Sequence, residues 1–476
     1  MNNQHVRVFV LFGVSALAVF LFFNTFEHYL QNVSILPVSV LFVVPFVLLL
    51  ASIAVVPFIN RHWWEKNYPW VSLGSGIAIV LYYAFVLDNT PRLFLTLYEF
   101  VSFISLIGSL FVVAGGIHLR IRGKAAPWEN VALLSVGAVI SNILGTTGAS
   151  MLLIRPYLRV NKYRIKGYHV VFFIFIVSNI GGALTPIGDP PLFLGYLKGV
   201  PFFWLLTRAW PMWAFTVGLV LLVFYIMDSY YFHKVPNQVR VEALQQEEPE
   251  VSGLHNIIYL IIILVAVFIE KPIMVREILM WSAALASYYS TKKDTHHKND
   301  FNFIPIKEVA ILFAGIFATM IPALDWLELN AQSLGVSTPA QYFWGTGALS
   351  SFLDNAPTYL NFLSAAFGLH GANVDNVEHM QAVLGLATTE GLGISNPIRA
   401  GAFAITADTW RYVLAISMGA VFFGANTYIG NGPNFMVKSI SEQAGVKCPS
   451  FFGYMFKYSI PILIPIFILV WYLFFR

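Results

Sequence analysis

The chain is 476 residues long and 58% hydrophobic, with only 11% charged residues and a formal net charge of +4. Soluble domains carry roughly 25% charged residues, and apolar runs of membrane length recur here from end to end, which excludes a soluble fold. What remains is an all-α polytopic membrane protein whose solvent is the lipid bilayer.

Lys and Arg fall in short loops beside the apolar runs, so no nucleic-acid partner is expected. The single Cys448 excludes internal disulfides and cysteine-based metal clusters. No P-loop, dinucleotide fingerprint or zinc-protease motif appears, so neither an enzyme nor a self-powered ATP pump is expected, and no cofactor.

Four spans open the chain, at residues 8–23, 36–58, 70–87 and 93–117. The first lacks a small-residue cleavage site and reads as retained. Arg61 and Lys66 follow the second span, and Arg120, Arg122 and Lys124 follow the fourth, which places the N-terminus in the cytoplasm. Residues 131–154 are long enough to cross once, yet both flanks are basic, with Arg155, Arg159, Lys162, Arg164 and Lys166 behind. The centre, SNILGTTGAS, is polar and rich in small residues. A re-entrant hairpin from the cytoplasmic side satisfies both observations.

The next apolar stretch, residues 168–197, is interrupted by SNIGGALTPIGDPP from Ser178 to Pro191. Its glycines and prolines cannot continue a helix, and broken backbone at membrane depth survives only where protein buries it or where it lines a wet cavity. Residues 203–226 return to the cytoplasm, and 228–253 form a hydrophilic linker. Spans follow at 254–270, 273–290 and 309–324. Residues 341–367 form a second hairpin around SSFLDNAPTYL, with acidic flanks (Asp325, Glu328, Asp375, Glu378) that read as external. A second broken span occupies 411–436, and 459–475 is the last.

This gives about 11 transmembrane helices plus two re-entrant hairpins in an inverted repeat with interrupted helices. The expected divisions are 1–92 (N-terminal spans), 93–227 (first repeat), 228–253 (linker), 254–307 (two connecting spans) and 308–476 (second repeat). The duplication shows in TPIGDPPLF from Thr185 and TYIGNGPNF from Thr427, which share T-x-I-G-[D/N]-x-P-x-F at an offset of 242 residues. Glu99 and Glu308 stand 209 apart and the hairpin tips Gly145 and Asn355 stand 210 apart, so an insertion falls near 369–397.

Paired interrupted spans mark the binding site of a secondary transporter. Two hairpin tips and two broken spans are expected to converge. They bring Ser141, Asn142, Thr146 and Thr147; Ser178, Asn179, Thr185, Gly188 and Asp189; Asp354, Asn355 and Thr358; and Asn426, Thr427, Gly430, Asn431 and Asn434. Hydroxyls, amides and freed carbonyls suit a hard cation such as sodium, and half-helix N-termini suit an anionic group. A Ser, Thr or Asn in a membrane helix is most often helix–helix glue. Asp189 and Asp354 are different, because an intramembrane carboxylate costs about 2.5–3.5 kcal/mol and is kept for a reason; they are the expected sodium ligands. Glu99 and Glu308 are expected at span ends in water, Asp408 and Arg411 as a structural pair, and His118, His169, His255 and His370 at the membrane interface.

On these motifs the chain resembles the ion-transporter superfamily, over nearly its whole length. TPIGD at Thr185–Asp189 is similar to the G-x-L/W-T-x-I-G-D segment of NhaD-type sodium/proton antiporters, and LDNAPT at Leu353–Thr358 to their D-N-x-x-T hairpin tip. The stretch SNIGGALTPIGDPPLFLGYLKGVPFF also resembles the citrate-carrier branch. The Ser-Asn-Thr signature of dicarboxylate carriers is not met, since Ile143 follows Ser141-Asn142 and Ala356 follows Asp354-Asn355. The resemblance implies a bacterial inner-membrane transporter, either a sodium/proton antiporter or a sodium- or proton-coupled carboxylate carrier. Its partners would be a small inorganic cation and a proton, or a small carboxylate; a homodimer is one of the oligomeric states left open.

Overall fold

A computed structural model describes residues 33–120, 125–234, 250–389, 392 and 403–476. The expected first span at 8–23 and most of the linker lie outside these. The described residues are overwhelmingly helical, and seven helices are long and apolar enough to cross a membrane. The protein is an integral membrane protein of the all-α class.

In chain order the helices are α1 (Val44–Ile59), α2 (Arg61–Phe85), α3 (Thr90–Gly115), α4 (Pro127–Val160), α5 (Gly167–Ile176), α6 (Pro190–Leu197), α7 (Trp204–His233), α8 (Asn256–Val267) and α9 (Val275–Ser290). They continue as α10 (Ile304–Asn330), α11 (Pro339–Ser350), α12 (Asn355–Leu369), α13 (Val377–Val383), α14 (Trp410–Phe423), α15 (Gly432–Gln443) and α16 (Phe451–Phe474). Two short strands, β1 (His118–Arg120) and β2 (Glu250–Ser252), pair antiparallel with Leu119 opposite Val251. Helix occupies every expected span that falls within the described residues. At 12 residues, α8 is shorter than the roughly 20 that a perpendicular crossing needs.

Two helical arms make up α4, and the chain doubles back between them at Gly145, whose φ of 73° and ψ of 156° only glycine adopts readily. Asn130 and Asn161, near its two ends, exchange side-chain hydrogen bonds at 2.9 and 2.8 Å. In a straight helix they would stand about 46 Å apart. Gly137 faces Leu153 in the same way. Two antiparallel arms therefore replace one rod. The second helical pair, α11 and α12, closes with Phe362 against Tyr342 and Gly345. A Thr338–Gln341 capping box with Pro339 starts α11, and Asp354 caps α12 by accepting from the Ala356 N–H at 3.0 Å.

The two broken stretches, α5 to α6 and α14 to α15, make equivalent contacts. The Thr185 hydroxyl donates to the Asn142 carbonyl at 2.6 Å, as Thr427 does to Ser351 at 2.5 Å. Ser141 donates to the Val177 carbonyl at 2.7 Å, as Ser350 does to Ala420 at 2.6 Å. These pairs align the hairpins at an offset of 209, matching Thr146 with Asn355 and Gly145 with Asp354. The tips are thus matched one residue away from the Gly145–Asn355 alignment taken from the sequence.

Asp228 near the end of α7 fastens the first half. It accepts from Arg164 at 2.5 and 2.8 Å, from Tyr168 at 2.6 Å and from Asn130 at 3.1 Å, and lies 3.1 Å from His169. His169 is therefore a buried packing residue, not an interface one. The expected Asp408–Arg411 pair does not form: Arg411 donates to the Phe474 carbonyl at 3.0 Å, and Asp408 is exposed. Glu99, Asp325 and Glu328, expected in water, are buried because Arg92 and Lys198 come to meet acids there.

Candidate functional site

Asp189 occupies the N-cap position of α6, where an aspartate ordinarily accepts from the N–H of the second or third helical residue. Pro191 removes the second-residue donor, the third-residue Leu192 N–H goes to the Asp189 carbonyl at 3.0 Å, and the carboxylate makes no capping bond. It is free to point elsewhere. The mirror position, Asn431, precedes Gly432 and Pro433 at the start of α15 and likewise makes no side-chain cap.

The four elements meet at the wholly buried Asp189 carboxylate. Oδ1 accepts from the Thr146 hydroxyl at the first hairpin tip (2.7 Å) and from Nδ2 of Asn431 in the second break (2.8 Å). Oδ2 accepts from Nδ2 of Asn355 at the second hairpin tip (2.5 Å). Asp189 and Asn431 are repeat-related at 242, and Thr146 and Asn355 at 209. A quasi-symmetric pair of tips thus grips a quasi-symmetric pair of breaks, with one carboxylate among neutral amides and a hydroxyl.

The remaining expected residues mostly hold this frame. Asn142 donates to the Gly181 carbonyl (2.7 Å) and accepts from the Leu184 N–H (2.9 Å), tying the first tip to the first break. The Gly188 N–H donates to Thr185, and the Gly188 carbonyl accepts from the Thr146 N–H at 2.7 Å. The Ser178 hydroxyl lies 2.8 Å from that of Ser150, and the Ser178 carbonyl accepts from Asn431 at 3.2 Å. Asn179 donates to Asn434 at 2.7 Å, and Asn434 donates to the Gly424 and Thr427 carbonyls, both at 2.8 Å. Asn426 donates to Ser351 at 2.9 Å, and the Gly430 N–H donates to Thr427 at 3.1 Å.

Three expected residues play other parts. Asp354 caps α12 and so aims its neighbour Asn355 at Asp189, and Thr358 donates back to the Asp354 carbonyl. Thr147 lines the adjoining cavity without touching the carboxylate in any hydrogen bond among the described residues. Ser150, Ser350 and Ser351 were not singled out in the sequence. Applying the 209 offset to Asn142 would have found Ser351.

The cavity beside Asp189 is lined by Leu106, Leu110, Thr146, Gly188 and Phe193 among others, and its volume of about 20 Å³ suits one water or one small ion. Two more oxygens are poised nearby. Oδ1 of Asn179 and Oδ1 of Asn355 are buried without a hydrogen-bond partner. A methyl group placed on Gly424 would lie 3.0 Å from the first, 3.3 Å from the Gly430 carbonyl oxygen and 3.4 Å from Asn355 Nδ2, so only glycine leaves these groups facing open space. Among the described residues no three His, Cys, Asp or Glu side chains gather as a metal centre.

A search of curated proteins finds no match to the chain. The model of the CitMHS_2 family, described as "Putative citrate transport", matches residues 35–475. That span takes in both hairpins, both breaks and every residue around Asp189, so the chain belongs to the CitMHS_2 family of membrane transporters.

Proposed function

We propose that the protein exchanges sodium ions for protons by alternating access, with Asp189 as the shared ligand. One observation carries this reading: a fully buried carboxylate whose hydrogen-bond partners are all neutral. Such a charge costs several kcal/mol unless a counter-charge joins it. A proton or a small cation is the available remedy, and both need the same oxygens, so they compete. Competition alone couples the two fluxes, provided that the empty charged site reorients slowly.

The amides make the exchange workable. As donors, Asn355 and Asn431 hold the bare carboxylate; a half-turn of either amide presents its oxygen instead, adding a ligand to a cation bound at Asp189. Asn179 Oδ1 and the Gly430 carbonyl supply further oxygens. Asp354, an expected second ligand, enters through its control of Asn355 and as a second negative charge nearby. In this reading the two repeats lie inverted in a bacterial inner membrane, the N-terminus is cytoplasmic and the hairpins enter from opposite sides.

The family description favours a second reading, coupled uptake of citrate or another carboxylate. The half-helix N-termini of α6, α12 and α15 face the site and can hold an anion. A carboxylate carrier would have to open a larger cavity than this conformation has. Proteoliposomes decide between the readings: a sodium gradient should drive a pH change without citrate, while labelled citrate stays outside. Citrate uptake with no sodium-driven pH change would reverse the assignment.

The topology has its own test. Trp128 and Tyr163, both exposed, flank the two ends of α4. Single cysteines at these positions in a Cys448→Ser background should react with a membrane-impermeant thiol reagent from the same side. Labelling from opposite faces would make α4 a full crossing and undo the inverted arrangement.

A further inference from the structure

The last helix is not wound alike along its length. Within α16, Phe451–Tyr454 and Ile464–Phe474 are α-helical, but Met455–Leu463 between them is a π-helix, closed by i→i+5 hydrogen bonds. Its 9 residues are a long run for a conformation that is rare and tends to occur at functional sites. The inward face carries Tyr454, Ser459 and Leu463, each 0% exposed, while Phe456 and Ile460 are 65% and 40% exposed. In an α-helix, residues five apart point about 140° from each other, and residues nine apart about 180°. Only the wider turn lets all three face inward.

Two of the three hold the second break. The Tyr454 hydroxyl donates to the Ala425 carbonyl at 2.7 Å, and the Ser459 hydroxyl donates to the Asn426 carbonyl at 2.8 Å. These consecutive carbonyls end the short 3-10 turn Gly424–Asn426. The same turn is tied to the ion site, because Asn426 donates to Ser351 and the Gly424 carbonyl accepts from Asn434. The Tyr454 ring centroid also lies 4.3 Å from that of Tyr428 and 5.6 Å from that of Phe175 on α5, so the contact reaches the first half. The first break is held differently: its Gly181 carbonyl accepts from Trp213 at 2.9 Å, on α7, which is α-helical throughout.

We infer that α16 is a register switch: its π-helical middle lets Tyr454 and Ser459 hold the second break, and rewinding that stretch to α-helix releases it. On rewinding, Ser459 turns away from Tyr454, and the two no longer reach consecutive carbonyls. Ser459 has a second acceptor in place, the Met455 carbonyl four residues back at 3.3 Å, which is the bond a serine makes within an α-helix. Pro461, inside the stretch, carries no backbone donor, so one fewer bond has to be remade. Tyr454 and Ser459 are positioning residues for the break that presents Asn431 to Asp189. The switch stands whichever ion Asp189 serves.

Hydrogen–deuterium exchange on the purified full-length protein needs no cargo and tests the switch. Ser459→Ala should lower the protection of residues 424–432 about tenfold, while residues 455–463 become better protected as the helix relaxes to α. Ser459→Thr keeps the hydroxyl and should restore the wild-type pattern. A purely structural bond predicts that helix and break loosen together; that result, or no change in either, overturns the switch.

Deleting Phe456 sets Tyr454 and Ser459 four apart, about 40° from each other in an α-helix, so both carbonyls stay held with no register left to change. This variant should protect residues 424–432 at least as well as the wild type, yet turn over about tenfold more slowly in the proteoliposome assays of sodium-driven pH change and labelled citrate. Wild-type turnover with that protection overturns the switch as well. If the deletion fails to fold, the Ser459 pair decides it. A wild type that moves no sodium would sink the sodium/proton reading and leave the protection result standing.

Discussion

The Asp189→Asn variant should express, remain monodisperse and lose sodium-dependent exchange. A charge-assisted contact is worth roughly 1.5–3 kcal/mol, so sodium affinity should drop about 10- to 150-fold. The loss goes beyond charge. Thr146, Asn355 and Asn431 all donate to this carboxylate, and an amide at the same place turns one acceptor into a donor facing donors.

In the wild type, raising external pH should strengthen apparent sodium affinity until Asp189 is free of protons, after which it levels off. Isotope uptake and proton release in proteoliposomes measure both effects. Exchange by Asp189→Asn with an unchanged pH profile would make the aspartate structural and move the carboxylate reading ahead.

Gly188→Val should be the most damaging change outside the carboxylate itself. A glycine can be required by a positive φ or by a close approach of backbone, and here the second applies. Gly188 is not among the residues with positive φ, but a Cβ on it would lie 2.1 Å from the Gly182 carbonyl oxygen. That contact is backbone against backbone within the break, so no side-chain rotation relieves it. The Gly188 carbonyl that accepts from Thr146 must then move, carrying the first hairpin tip off Asp189.

Overpacking of this kind costs about 1–3 kcal/mol, which a large membrane protein survives, so the variant should fold with a lowered melting temperature and transport at least about tenfold more slowly. Gly430→Ala, which meets the Gly424 and Ser350 carbonyls at 2.6 and 2.7 Å, should behave alike. Gly432→Ala has nothing within 4 Å and is the control. Equal transport by all three variants would reduce the breaks to packing features.

Much of this molecule was legible in its sequence because membrane folds obey local rules. Apolar length sets the helices, basic flanks mark residues 131–154 as a hairpin, and proline with glycine marks the breaks. The repeat of T-x-I-G-[D/N]-x-P-x-F, together with the aspartates at membrane depth, named the four elements now found around Asp189.

Three features needed the tertiary structure, each because it depends on an approach that local sequence rules do not set. Nothing local distinguishes Asp354 from Asn355; only the packing of α12 turns the first into a cap and aims the second at a carboxylate 166 residues away. Glu99, Asp325, Glu328 and Asp375 look like solvated span ends until Arg92 and Lys198 arrive from other elements to bury them. Gly188 needs to be glycine because of one carbonyl, Gly182, whose approach is set by how the break folds on itself. The sequence by itself determined which segments are apolar helices, which break and which fold back, since apolar length and backbone hydrogen bonding act residue by residue. Which polar atoms face one another was decided by packing, since burial and charge pairing act across the fold.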